Sequence, residues 1–460
     1  MTPSLVRGRP RRGRSHISVR VAHALLGVVA GVVWLVLPWM TINDDAPVAD
    51  ARVSAAAPAA DESSGTDLVL PVAALAVVAV LAAYGAVRRT RRTRRRTTPA
   101  AAGTTHVGAY PSPAATPPLA GLDERSRAAL VDADNRLRTL REELTFAETG
   151  SDPDAVTPLT RAAEAAEAEL TAACAIRRRY EEGVPEEAAA LAGVVGRCEE
   201  AGRRLSGAAE SLRVLRGLDR DPAAALASAE TRFRDLTART AGAETGLLDD
   251  SVTGYVESAK DSLVTATVHL NQTHQATASG RTDEAAGHLR AAETAIARAD
   301  VLVTAVTRLR ETRAEAARLI PPALTGAEAE LAPFRDSTAY EGETYALLLH
   351  ADAVLAAVRR ETTSGQPYDP LGVLRRIVHA TAPLATGRSG VLEVAALLVA
   401  RESVAAADDY VGVHREAVGA GPRVLLSEAR LTDELPRADA LAREARDLAE
   451  RDVRLRGHPA

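Results

Sequence analysis

Apolar residues fall into two patterns along this chain. Near the N-terminus they form unbroken runs, and from Leu122 onward they recur at alternating spacings of three and four. The run LVLPVAALAVVAVLAAYGAV, residues 68–87, holds 20 residues without a charge. That length crosses about 30 Å of hydrocarbon at about 1.5 Å per helical residue. Pro71 stands in its first turn, where a missing N–H does least harm. A second run, VAHALLGVVAGVVWLVLPWM, covers residues 21–40.

The spaced pattern is that of helix bundles. One seam is Leu130, Ala133, Leu137, Leu140 and Leu144, and a second is Val156, Leu159, Ala163, Ala166, Leu170 and Ala173. A third runs Leu191, Val194, Cys198, Ala201, Leu205, Ala208, Leu212, Leu215, and a fourth Leu226, Ala229, Phe233, Leu236, Thr240, Ala243, Leu247. Alanine at alternate seam positions lets neighbouring helices come close. Gly-Ser-Asp-Pro at 150–153, Gly-Val-Pro at 183–185 and Asp-Arg-Asp-Pro at 219–222 interrupt the seams. Connections this short favour antiparallel neighbours. Asp221-Pro222 and Asp369-Pro370 each start a helix, because Asp caps free N–H groups and Pro pre-sets the first turn. In the second half the pattern predicts helices over about 282–320, 323–363, 371–384, 389–419 and 422–456, with Pro321-Pro322 as a turn that either sets a sub-boundary near 321 between two bundles or continues one elongated stack. About ten helices result. Residues 277–300 look like a tetratricopeptide helix pair, but without its Trp/Tyr positions or a sustained period. The expected fold is therefore all-α: transmembrane segments followed by an elongated antiparallel bundle or coiled-coil stack over 122–456.

Charge sets the topology. VRRTRRTRRR at 87–96 packs seven arginines behind the 68–87 run, which holds that end in the cytoplasm. Six arginines, Arg7 to Arg20, precede the 21–40 run and make 1–20 a basic cytoplasmic N-region. Residues 21–40 then read in two ways. As a signal peptide they have a basic start, an apolar core and a small-residue site at Ala49-Asp50-Ala51. As an uncleaved span, the reading we favour on length, they carry Trp34 and Trp39 toward the outer interface. Gly27 and Gly31 form a GxxxG spacing that brings spans together, or that arises by chance in a Gly/Ala/Val-rich run. Residues 41–67, with six acids against Arg52, are a short extracytoplasmic segment, and 88–121 joins the arginine stop to a Pro/Ala/Thr linker.

Composition removes several function classes. Residues 1–121 carry 14 arginines and 6 acids, a net of +8, and the rest carries 42 basic and 55 acidic groups, a net of −13. An acidic domain on a basic stem repels phosphate, and no aromatic is interleaved in the arginine run for base stacking, so no nucleic-acid partner is expected. Lys260 is the only lysine, which reflects GC-rich coding. The two cysteines give no disulfide framework and no zinc pattern. Cys198 lies on a seam and reads as core; Cys174 is adjacent to one, and a redox pair between them is disfavoured in a reducing cytoplasm. His269 and His274 are five apart, off the i, i+4 spacing of a helical metal pair, while His288, His350, His379 and His414 stand alone and Asp408-Asp409 lacks a third ligand. No GxSxG, phosphate-binding Gly-Lys-Ser/Thr loop, GxGxxG or HExxH occurs. The expectation is no catalytic, cofactor-binding or metal residue, and no enzyme.

One family resemblance rests on RRTRRTRRRTTP after the span, AALVDADNRLRTLREELTFA, CEEAGRRL, VESAKDSLVTATVHLNQTHQATASGRTDEAAGHLRAAE, YDPLGVLRR and ARDLAERDVR. Residues 68–460 resemble the membrane-anchored helical C-terminal half of actinobacterial TPM-domain proteins, and 251–293 carry the most specific part. In that family a signal peptide and a TPM domain precede the span, which adds weight to the signal-peptide reading of 21–40. Here 27 residues separate the two apolar runs, so the TPM domain is expected to be missing and its chemistry is not carried over.

These patterns point to a bacterial inner-membrane protein with its large domain in the cytoplasm, serving as a scaffold or protein-interaction module. Its partners would be the bilayer and other proteins met through helical faces, because packed helices offer long solvated faces and few concave pockets. A sensor relaying an outside event is the alternative, weakened by the small outer segment. A hydrolase is the third reading, and it lacks a nucleophile–base constellation.

Overall fold

A computed structural model describes residues 118–148, 151–184, 186–244, 250–336 and 342–456. The runs at 21–40 and 68–87 and the segments around them lie outside the described residues. Among the described residues the protein is all-helical, with eleven α-helices and no strand, and no helix is long and apolar enough to cross a membrane.

Helices α1 (Leu119–Ala147), α2 (Pro153–Glu181) and α3 (Glu187–Arg216) share one core. Every residue of the first two sequence seams is buried there, and so is the third seam from Val194 to Leu212. Ala166, Ala173 and Ala201 are fully buried, so backbones approach where a larger side chain would hold them apart. Cross-links fix the direction: Arg177 near the end of α2 reaches Asp123 and Ser126 at the start of α1, and Arg141 meets Glu167, so α1 and α2 are antiparallel. Asp152 caps α2 by accepting from the Asp154 N–H at 3.1 Å, with Pro153 in the first turn. Gly217 ends α3 in the left-handed region at φ 56°, a conformation that costs a side chain little only when it is hydrogen.

A second core joins α4 (Ala223–Glu244), α5 (Asp250–Ala278) and the first half of α6 (Thr282–Arg335). Glu230–His274 and Glu244–Lys260 pairs run α4 and α5 antiparallel. A third core packs the second half of α6 with α7 (Glu343–Thr363), α8 (Pro370–Thr381), the 3-10 turn Ala382–Leu384 and the start of α9 (Gly390–Val413). The fourth holds the end of α9, α10 (Ala420–Leu431) and α11 (Leu435–Leu455). Helix α10 is shared: Ala420 and Val424 join the first core, Leu425 and Leu426 the fourth.

Helix α6 corrects the expected break at Pro321-Pro322. It continues through both prolines and Pro333 for 54 residues, about 80 Å. The three prolines face solvent, while Ile320, Ala323, Ala327 and Leu331 are buried on the other side. An unbroken seam against α7, α8 and α9 outweighs the lost N–H groups. The chain breaks instead between Arg335 and Glu343, so the expected 323–363 helix is two. The 371–384 helix ends at Thr381 in a 3-10 turn, and the 389–419 helix ends at Val413. The 422–456 helix is also two, because Pro436 starts α11 in a fresh first turn. Interior proline disfavours a helix by about 3 kcal/mol relative to alanine. Replacing Pro321 and Pro322 together by alanine is therefore expected to raise the melting temperature by several degrees in a circular-dichroism melt; an unchanged or lower value would show that α6 gains from the prolines.

Candidate functional site

A cavity of about 570 Å³ opens between α1, α2, α6, α9 and α10. Six arginines and six acids line it. Its inner wall is a chain of ion pairs built from three helices. Arg430 of α10 lies 2.6 Å from Asp408 of α9, which also accepts from Arg138 of α1 at 2.7 Å. Arg138 turns its Nε to Asp134 at 3.0 Å, and Asp134 accepts in turn from Arg423 of α10. Burial works to raise the Asp408 carboxyl, but Arg138 and Arg430 overcome it and hold it below the ordinary range. Asp409 points the other way, to Arg308 at 2.6 Å, and burial pushes its carboxyl up in spite of that partner. At the outer wall Arg415 donates to Glu142 at 2.6 Å and Arg141 to Glu167 at 2.5 Å.

A second polar cluster joins α8, α9 and α11. Asp439 is almost fully buried. It lies 2.7 Å from His379 Nε2, accepts from Arg375 Nε at 3.1 Å, and also accepts from Ser403 Oγ. Serine, histidine and aspartate thus meet, but in the wrong order for a hydrolase. In a catalytic triad the imidazole stands between hydroxyl and carboxylate so that it can take the hydroxyl proton. Here the carboxylate is in the middle. Burial tends to raise the Asp439 carboxyl, yet the bonds from His379, Ser403 and Arg375 hold it below its ordinary value, which makes it a weak base.

The structure changes the reading of several single residues. His379 does not stand alone, since Asp439 holds it. His288 stacks on His269 with ring centroids 5.9 Å apart, His274 lies 2.5 Å from Glu230, and His414 packs on Tyr410. His350 is exposed on α7. Asp408 and Asp409 hold arginines, and no group of three metal-type ligands occurs among the described residues. Cys174, expected beside a seam, is buried in the same core as Cys198. Burial pushes both thiols up to about 12. The arginine chain and Asp439 were missed from sequence because their partners are tens to hundreds of residues away, and no local spacing marks them.

The outer face of α7 carries an apolar stripe beside the exposed His350, Arg359 and Arg360. Leu348, Ala351, Leu355 and Val358 are buried inward, while Tyr345, Ala346, Leu349, Ala353 and Ala356 face out. Tyr345 is 52% and Leu349 51% exposed. Spacings of four, four and three keep Tyr345, Leu349, Ala353 and Ala356 on one stripe.

No protein-family model matches the chain. No solved structure is similar to it. Two curated proteins from two strains of Mycobacterium tuberculosis, each named UPF0603 protein, are 26% identical to it over 344 residues, covering 68% of this chain and 52% of theirs. The chain thus spans about half the length of the curated relatives it matches. The relatives are actinobacterial, as the sequence resemblance implied.

Proposed function

We propose that the chain is a membrane-anchored helical scaffold whose large domain binds protein partners at the cytoplasmic face. The observation that carries this is the exposed apolar stripe on α7. A surface stripe of this kind, on a helix whose opposite face already fills a core, is what a partner helix packs against. The anchor is residues 68–87 with the arginine stop behind them, and the helices would stack as an elongated antiparallel array. The helical region would correspond to the membrane-anchored half of TPM-domain proteins.

A sensor role is a second reading, favoured by a cavity whose wall is made of ion pairs between separate helices. The hydrolase reading has the Ser403–Asp439–His379 order against it.

A photo-crosslinking residue at Leu349, in the full chain expressed in its native host, tests the scaffold reading. The expected result is a discrete adduct that a Tyr345→Asp change removes. Labelling no stronger than that from position 210, an exposed charged site on α3, would refute it.

A further inference from the structure

We propose that the cavity between α1, α6, α9 and α10 binds a small soluble polyanion carrying two or more phosphoryl or carboxylate groups. This goes beyond the scaffold reading and does not depend on it. Two places in the cavity hold more guanidinium than carboxylate.

The first is the inner chain, where three arginines, Arg430, Arg138 and Arg423, share the two carboxylates of Asp408 and Asp134. The Arg423 side chain is only 5% exposed, and its Nε has no hydrogen-bond partner. Burial holds its guanidinium below the ordinary value; Asp134 and, last, Glu416 work against that, and neighbouring Arg138 works with it. That unmet donor leaves the inner chain short of an acceptor, although Glu142 Oε2 on the outer wall is likewise an unmet acceptor.

The second is the α6 wall. Thr294, Arg298 and Val301 present one face of α6 to the cavity. Arg298 forms no ion pair or hydrogen bond among the described residues. Burial and then the charge of Arg415 hold it below its ordinary value, with Asp261 acting in the opposite sense. Arg415 is no help, because Glu142 already occupies it. Of the lining acids, Asp409 is turned to Arg308, which lies outside the cavity wall, and Glu416 is exposed, as Arg298 and Arg430 are.

Two guanidinium excesses in one cavity suit a ligand with two anionic groups, since the planar fork of arginine takes phosphoryl or carboxylate oxygens in pairs. A volume of about 570 Å³ admits a molecule of metabolite size.

The test uses the full chain in a zwitterionic detergent at constant ionic strength, with pyrophosphate and citrate as probes and chloride as the reference salt. A saturable rise in melting temperature is expected with at least one probe. Arg298→Gln should weaken that probe by about tenfold or more, as loss of a charge-assisted contact does. Arg203→Gln, on an exposed α3 pair outside the cavity, should leave it unchanged. The Arg298 variant without ligand should melt no lower than the parent, because the residue holds nothing in place. Absence of a saturable rise, or a rise equal in parent and Arg298→Gln, overturns the proposal. A rise with phosphatidylglycerol micelles but with neither soluble probe also overturns it, by assigning the cavity to a lipid headgroup.

Discussion

Replacing Asp439 by asparagine is expected to destabilise the helical domain by about 3 kcal/mol, the usual scale for removing one partner of a buried ion pair. Asp439 is 1% exposed and serves three donors on two other helices: Arg375 and His379 of α8 and Ser403 of α9. Asparagine keeps the shape but not the charge, so Arg375 is left facing a neutral amide. Reversible urea denaturation followed by circular dichroism measures the loss, and Glu210→Gln on an exposed α3 pair serves as the control, with no measurable change expected. A drop no larger than the control's would show that the cluster contributes nothing net. The pH dependence has a definite sign. The folded carboxyl is held below its unfolded value of about 4. Its contribution is complete above that unfolded value and is lost as pH falls through the lower folded value. Acidification below about pH 4 should therefore destabilise the parent more steeply than Asp439→Asn.

Glu330→Ala is the second large effect, again about 3 kcal/mol, because a charged acceptor and its buried stem are lost together. Glu330 is 1% exposed on the far end of α6. It accepts from the Thr386 N–H at 2.8 Å, the Thr386 hydroxyl at 2.6 Å and the Ser389 N–H at 2.6 Å. Ser389 is the N-cap residue of α9 but makes no side-chain cap of its own, so a distant helix supplies the anion that the first turn of α9 calls for. Burial tends to raise the Glu330 carboxyl, but the Thr386 and Ser389 donors hold it below the ordinary range. Its contribution too is present above the unfolded value and fades as pH drops through the folded one. Hydrogen exchange distinguishes this variant from a general loss of packing: protection should fall first at the start of α9 and stay intact in α1 to α3. Uniform loss would refute the capping role.

What the sequence made legible follows from range. Seams such as Leu130 to Leu144 are local, and every one of those positions is buried. Asp369-Pro370 is equally local, and Asp369 does accept from the Leu371 and Gly372 N–H groups. The rules failed where tertiary packing decides. Proline punctuation at 321–322 lost to a buried face running from Ile320 to Leu331. The inner cavity wall was invisible because Asp134 and Arg423 are 289 residues apart. An arginine four residues from an acid looks the same whether it is solvated or, like Arg138, also holds Asp408 across the interface between helices.

The unbroken course of α6 carries a consequence for cooperativity. One backbone rod delivers Leu289 and Ile296 to one core and Ile320 and Leu331 to another, with no hinge between them. Neither core can dissolve without fraying the rod that completes its neighbour. A single cut in that rod would divide two assemblies that otherwise form and melt as one.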